Sequence, residues 1–215
     1  ERNGIEEKCN YIFKLSNAKT QLQPMFTLEP VLHILPSTRL NYGICTFEVE
    51  NKPMILLIGG NTGAKNINDT QSANKSLHST SLLFDVESNK FDKFFKLDLP
   101  YGKDCITAVV VGERFVYSFF GRKASQVKTP NVEDPEIEHE QPIKRYEYCT
   151  EIDRWEISKN DNNIFERIKI KFDEKIEKCL KPLIIPIEDH SSFLIIGGIK
   201  GNQIPITQIG RLDIT

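Results

Sequence analysis

The side chains that most often carry chemistry, cysteine and histidine, are few and widely scattered along this chain of 215 residues. The five cysteines are Cys9, Cys45, Cys105, Cys149 and Cys179, and no two of them have the C-x-x-C spacing of thiolate zinc sites. This pattern favours reduced thiols that are buried or half-buried, with a disulfide framework or a zinc site as the minority interpretation. The four histidines are equally dispersed, so the sequence predicts no metal and no cofactor.

Nucleophilic and acid–base motifs give no clear signal either. The G-x-S-x-G motif does not occur, and the adjacent carboxylates Glu6 and Glu7, like Glu133 and Asp134, lie in polar surroundings where a raised pKa is not expected. The stretch 197–201 (GGIKG) has neither the G-x-G-x-x-G spacing nor the following helix of a nucleotide site. We therefore expect no catalytic residues and predict that the protein is not an enzyme.

Composition limits the classes of partner. The net charge is −2, which predicts no nucleic acid as the main partner. No apolar run approaches the roughly 18 residues that would span a bilayer, so we expect no membrane partner. These features predict a cytoplasmic protein.

Three apolar runs end in glycine, and they organise the sequence. They read MILLIGG at 54–60, FVYSFFG at 115–121 and FLIIGG at 193–198. The first glycines of these runs are 62 and 76 residues apart, and self-similarity at a long period indicates a repeat architecture.

Each run is the second half of a predicted β-hairpin. The first halves are 42–49, 105–111 and 183–187, and Gly112 supplies the positive φ that a tight hairpin turn favours. Further strands are predicted at 81–86 and 91–97 in the first unit, and at 145–148 and 155–157 in the second. An aromatic residue precedes another by seven positions in both units, from Phe84 to Phe91 and from Tyr148 to Trp155.

These residues resemble the kelch repeat, in which an apolar strand ending in Gly-Gly is followed by aromatic strands and each repeat forms one propeller blade. Arg122 stands where the second unit would have its second glycine, and Leu212-Asp213 in the third unit echoes Phe84-Asp85 in the first. The resemblance implies an all-β fold, a kelch-like β-propeller, with a partial propeller of about three to four blades in this chain.

The resemblance also implies domain boundaries. Residues 1–36 are expected to hold outer strands of a preceding, degenerate blade, because 11–15 reads as one strand. Kelch-like blades are expected at 37–103 and 104–172, with an incomplete blade at 173–215. A closed propeller needs at least four blades. We therefore expect either that flanking sequence completes the ring or that residues 1–36 supply strands that close it.

We predict a structural role for the glycines that end the apolar runs and a role in binding for the long loops. Gly59, Gly60, Gly121, Gly197 and Gly198 are predicted hinges, because glycine permits sharp turns and close backbone approach. Partners are expected on the face that carries the long loops 61–80 and 122–144. The binding-face candidates there and at the junction between units are Arg39, Asn61, Tyr101, Arg122 and Lys123.

The function that these observations favour is a protein–protein interaction or scaffolding module, whose partner is another protein of unknown identity. One alternative is a structural subunit of a cytoskeletal or ciliary assembly, which would add a cytoskeletal association to the cytoplasmic location. The other alternative is a propeller-type enzyme acting on a sugar or other small molecule.

Overall fold

The computed structural model describes residues 11–19, 24–37, 39–63, 76–92, 97–112, 114–125, 146–149, 151–157, 164–169, 179–187, 192–200 and 204–214. In these ranges the regular elements are antiparallel β-strands, so the predicted all-β class is confirmed. The sheets that they form do not close into a barrel within the same ranges. The predicted hinges and binding-face residues all lie in the described part of the chain.

The strands are numbered in chain order. They are β1 (Tyr11–Lys19), β2 (Pro24–Ile34), β3 (Gly43–Val49), β4 (Lys52–Ile58), β5 (Ser81–Asp85), β6 (Lys90–Asp92), β7 (Thr107–Val111), β8 (Phe115–Phe119), β9 (Arg122–Ala124), β10 (Tyr146–Tyr148), β11 (Glu151–Glu156), β12 (Ile164–Lys169), β13 (Leu183–Pro186), β14 (Ser192–Ile196) and β15 (Ile209–Asp213).

Three of the sheets are antiparallel meanders in which strands follow one another in space as they do in sequence. The first sheet has the order β3-β4-β5-β6, the second β7-β8-β11-β12, and the third β13-β14-β15. The short hairpin β9–β10 is inserted between the second and third strands of the second sheet, and β1 pairs with β2 in a separate hairpin. Each of the three meanders falls within one of the predicted units 37–103, 104–172 and 173–215.

The three predicted hairpins are confirmed. Strand β3 pairs with β4, β7 with β8 and β13 with β14, and the turn glycine Gly112 has the expected positive φ of 59°. These hairpins can be predicted from the sequence because each apolar run is bounded by polar turn residues. The predicted strand at 11–15 also lies inside β1.

The predicted third and fourth strands of the second unit are wrong. The third strand is β11, which pairs with β8, and the fourth is β12; residues 146–148 instead belong to the inserted hairpin. Trp155 therefore lies on a third strand, as Phe84 does in the first sheet, whereas Phe91 lies on a fourth strand opposite Phe84. The matched seven-residue spacing of aromatics thus joins positions that are not equivalent. The expected correspondence between Phe84-Asp85 and Leu212-Asp213 is confirmed, because each pair lies on the third strand of its sheet.

The second sheet is stacked between the other two. One of its faces contributes Ala108, Val116 and Trp155 to a core shared with the first sheet. Its other face contributes Tyr117 and Phe119, among others, to a core shared with the third sheet. Successive side chains of a strand point to opposite faces, so an apolar run without alternation is what a sheet covered on both sides requires.

The first strands of the sheets lie side by side, since β7 contacts both β3 and β13. The residues two positions before these strands are linked by backbone hydrogen bonds: Cys105 N donates to Asn41 O at 2.6 Å, and Lys181 N donates to Cys105 O at 3.4 Å. All three residues have φ between 49° and 55°. The three sheets therefore begin from one shared, repeated backbone geometry.

Candidate functional site

The candidate site lies at one end of the sheets, where first strands begin and second strands end; we call it the junction end. An isolated β-bridge recurs there in each sheet, pairing Leu40 with Asn61, Asp104 with Arg122, and Leu180 with Ile199. These bridges define equivalent positions in the three units, so that Asn61 corresponds to Arg122.

The predicted hinge glycines lie just before these bridges. Gly60, Gly121 and Gly198 have φ of 98°, 94° and 111°. A Cβ at these three positions would lie 2.9 Å from Leu40 O, 2.6 Å from Asp104 O and 3.2 Å from Leu180 O, respectively. The recurring glycine is therefore needed because the backbone of the bridge partner passes too close for a side chain.

The residue before this glycine shows that the expected alignment of the second unit with the other two units is wrong. Gly59 and Gly197 have φ of 61° and 65°, and the matching residue is Phe120, whose φ is 56°. The second unit therefore lacks the first glycine of the doublet, not the second as expected, and Arg122 corresponds to the residue after the doublet. Phe120 keeps a left-handed backbone although its side chain is an aromatic ring, 2% exposed, within the core between the second and third sheets.

Asp104 is the centre of the candidate site. Arg122 donates from Nε to Asp104 Oδ1 at 2.7 Å and from Nη2 to Asp104 Oδ2 at 3.0 Å. This is the bidentate geometry that a guanidinium makes with a carboxylate. Asn61 Nδ2 donates to the same Oδ2 at 2.6 Å. The hydrogen bonds that Arg122 donates to the Asp104 carboxylate raise the pKa of Arg122, so the arginine stays charged. The Asp104 side chain is 1% exposed whereas that of Arg122 is 29% exposed, so only the guanidinium reaches solvent.

A second ion pair lies deeper. Lys103 Nζ is paired with Asp153 Oδ2, and both side chains are fully buried. Lys103 precedes the first strand of the second sheet, and Asp153 lies on its third strand, β11. The pair therefore attaches the linker between the first two sheets to the middle of the second sheet.

Three tyrosines neighbour these pairs: Tyr101 lies close to Lys103, Tyr146 lies close to Arg122, and Tyr148 pairs with Arg122 across β9 and β10. We call Tyr101, Tyr146 and Tyr148 the tyrosine rim. Tyr101 OH donates to Glu151 Oε2 at 3.1 Å, and Lys123 Nζ lies 5.0 Å from the centre of the Tyr101 ring. The Arg122 guanidinium lies 4.5 Å from the centre of the Tyr146 ring, within the range of a cation–π contact. The rings of the rim are partly exposed, so they combine a fixed position with a reachable surface.

Four of the five predicted binding-face residues meet in this cluster, namely Asn61, Tyr101, Arg122 and Lys123. The fifth, Arg39, does not lie on an exposed face: it is 4% exposed, and its Nη1 donates to Gly59 O at 2.9 Å and Thr80 O at 2.6 Å. Burial lowers the pKa of Arg39 to about 10, although Asp98 opposes this shift. Arg39 therefore binds carbonyl groups of its own sheet.

The charges of the cluster are balanced internally. Arg122 is neutralised by Asp104, Lys103 by Asp153, and Lys123 Nζ lies 3.1 Å from Glu147 Oε1. Each of these three cations in the described part of the cluster therefore has an anionic neighbour. The cluster also contains partly exposed aromatic rings that lie beside these paired cations. Tyrosine and arginine are residue types that are enriched in protein-binding hot spots.

Sequence reasoning missed Lys103, Asp104, Asp153 and Tyr146. Lys103 and Asp104 lie in the junction between the first two units, and charged residues a few positions before an apolar strand, like Arg39 before β3, are a usable signal of a buried junction. Asp153 lies in EIDRWE, whose two apolar residues, Ile152 and Trp155, are three positions apart, so no period-2 pattern indicates which face of the strand is buried. Its partner is 50 residues away, and a single sequence does not reveal such a pairing.

Four cysteines lie buried as free thiols, which confirms the predicted burial for Cys45, Cys105, Cys149 and Cys179; Cys9 lies outside the described residues. In the described ranges, no group of three or more His, Cys, Asp or Glu side chains is arranged to hold a metal ion. The same ranges contain no helix of the length and apolarity needed to cross a bilayer.

Comparison with known proteins gave no relative: the chain matches no protein-family model and none of the curated proteins.

Proposed function

We propose that this chain is a protein-interaction module built on kelch-like β-propeller blades, and that the tyrosine rim is its docking surface. Three observations support the architecture: meander sheets in chain order, face-to-face stacking of consecutive sheets, and first strands that lie side by side. Radially stacked four-stranded meanders are the arrangement of propeller blades.

The convergence of Tyr101, Tyr146, Arg122 and Lys123 at the junction end carries the functional part of the proposal. Tyrosine and arginine are, with tryptophan, enriched at binding hot spots. A tyrosine ring buries a large area at small entropic cost and keeps a polar tip. Here the ion pairs beneath fix the side chains before a partner arrives. Such preorganisation lowers the entropic cost of association.

Affinity capture with matched variants tests this proposal. The chain is immobilised beside two variants that alter the rim: Tyr146→Ala removes one of its rings, and Glu147→Lys reverses the charge between Tyr146 and Tyr148. Proteins retained from an extract of cells that express the chain are quantified by mass spectrometry. The control is Glu87→Lys, which makes the same charge change in the exposed β5–β6 turn. We expect a partner that the original chain and the control retain and that both rim variants lose. A retained set that is unchanged by the rim variants would overturn the assignment of the docking surface.

A further inference from the structure

The third strand of each of the first two sheets is covered by a fourth strand. In the first sheet β5 pairs with β6, and in the second sheet β11 pairs with β12. In the third sheet, β15 is the outermost strand among those that the structure describes, and Ile209 at its start is 79% exposed. The outer edge of such a strand can accept a further strand from another polypeptide.

The hydrogen bonds between β14 and β15 show which residues of β15 face this outer edge. Gly197 N donates to Gln208 O at 2.8 Å, and this pair continues the register of the two strands. Backbone hydrogen bonds of an antiparallel ladder fall on alternate pairs, so Gly210 and Leu212 bond toward β14. The backbone N–H and C=O groups of the alternate residues point to the outer edge: Ile209, Arg211 and Asp213.

The first two sheets show what a fourth strand places opposite these positions. Counted from the glycine turn, Arg211 corresponds to Arg154 of the second sheet, and Asp213 corresponds to Asp85 of the first. The fourth strands carry opposite charges there, with Glu166 opposite Arg154 and Lys90 opposite Asp85. Between these positions the pairs are apolar, with Phe165 opposite Trp155 and Phe91 opposite Phe84. A fourth strand for β15 therefore needs an acid opposite Arg211, an apolar residue opposite Leu212 and a base opposite Asp213.

The sequence of β15 meets this requirement when it runs antiparallel to itself. A two-fold axis at Leu212 places Asp213 of one strand opposite Arg211 of the other, and Leu212 opposite Leu212. This register also sets residues with outward backbone groups opposite one another, as an antiparallel ladder requires. The neighbouring registers, with the axis at Arg211 or at Asp213, bring like charges directly opposite each other, which is destabilising.

We propose that β15 of a second copy of this chain adds to β15 in this register, so that two three-stranded sheets join into one six-stranded sheet. The contact is isologous, because both copies contribute the same edge, and it closes at two chains. Within one chain Arg211 Nε donates to Asp213 Oδ1 at 2.7 Å, and the two side chains are 58% and 54% exposed. The dimer brings two such ion pairs together as four alternating charges. This contact depends neither on the tyrosine rim nor on the propeller architecture.

Sedimentation velocity over a range of concentrations tests this proposal with two single variants, Arg211→Asp and Asp213→Arg. Each sets like charges opposite each other on both sides of the axis, and we expect each to weaken dimerisation by about tenfold or more. The control is Arg114→Asp, which makes the same change in another exposed ion pair, with Glu156 on the second sheet. Circular dichroism melts establish that each variant is folded.

The double variant Arg211→Asp, Asp213→Arg gives the decisive result. It exchanges the two charges, so opposite charges again face each other across the axis and dimerisation should return close to that of the original chain. A mixture of the two single variants should likewise form a heterodimer. A double variant that dimerises as weakly as the single ones would overturn the register. An original chain that is monomeric at all concentrations, or single variants that dimerise as the original chain does, would overturn the contact itself.

Discussion

Lys103 and Asp153 form an ion pair in which both side chains are withdrawn from solvent, although the residues are 50 positions apart in sequence. Burial removes both charges from water, so the pair is favourable only while both members are present. We expect Lys103→Met to lower the free energy of unfolding by about 3–5 kcal/mol, because Asp153 loses the ammonium that balances its charge. Urea unfolding followed by circular dichroism measures the loss.

The double variant Lys103→Met, Asp153→Leu provides the control for this prediction. It removes both charges and keeps apolar volume at both positions, so its stability should return close to that of the original chain. The cycle formed by the single and double variants then gives a large coupling energy. Additive losses in the two single variants would contradict an energetically coupled pair.

Gly59 and Gly197 share a left-handed backbone but differ in their surroundings. A Cβ at Gly59 would lie 2.5 Å from Lys103 O, whereas the nearest atom to a Cβ at Gly197 is Ile206 O at 3.6 Å. We expect Gly197→Ala to cost about 1–2 kcal/mol, the strain of an L-residue in this conformation. Gly59→Ala should cost more because the linker must also move away. Chemical denaturation of both variants compares them directly, and equal losses would show that the close carbonyl does not matter.

The hairpins at all three glycine runs were predictable because local signals determine them. Apolar runs, polar turns and Gly112 specify strand and turn without reference to distant residues. The alignment of the second glycine run was not predictable in this way. Sequence reasoning assigns left-handed positions to glycine, and Phe120 occupies one with its ring packed between two sheets. The tertiary core thus overrides a local preference.

The candidate site was partly predictable for the same physical reason. Asn61, Tyr101, Arg122 and Lys123 were found because they flank glycines or stand in a junction, which are features of local sequence. The group that organises the site, Asp104, binds Arg122 and Asn61, and Lys103 pairs with Asp153 on the third strand of the second sheet. Those contacts join residues that are far apart along the chain, and one sequence without relatives carries no signal of the pairing.

Ser118 and Ser192 provide a contrast between an unpaired and a paired buried hydroxyl. Among the described side chains, Ser118 Oγ is buried without a hydrogen-bond partner, whereas Ser192 Oγ donates to Asp213 Oδ1 at 2.6 Å and accepts from Arg211 Nη2 at 3.0 Å. An unpaired buried hydroxyl costs free energy, so Ser118→Ala should leave stability unchanged or raise it by about 1 kcal/mol. Ser192→Ala should lower stability by about 1–3 kcal/mol. Parallel urea titrations test the pair, and a marked loss in Ser118→Ala would reveal a bond that the hydroxyl makes.

Cys45 predicts a change of stability with pH. Burial raises the pKa of its thiol to about 12, from an ordinary value of 9.0. Above about pH 9 the unfolded chain loses this proton while the folded chain keeps it. The unfolded state then binds fewer protons, and the free energy of unfolding falls as pH rises toward 12. The slope from one such thiol approaches about 1.4 kcal/mol per pH unit.

Because lysines and tyrosines titrate in the same range, the measurement is the difference between the original chain and Cys45→Ala, each unfolded in urea at several pH values from neutral upward. The original chain should lose stability more steeply; parallel pH profiles would show that the thiol ionises as easily in the folded state as in the unfolded one.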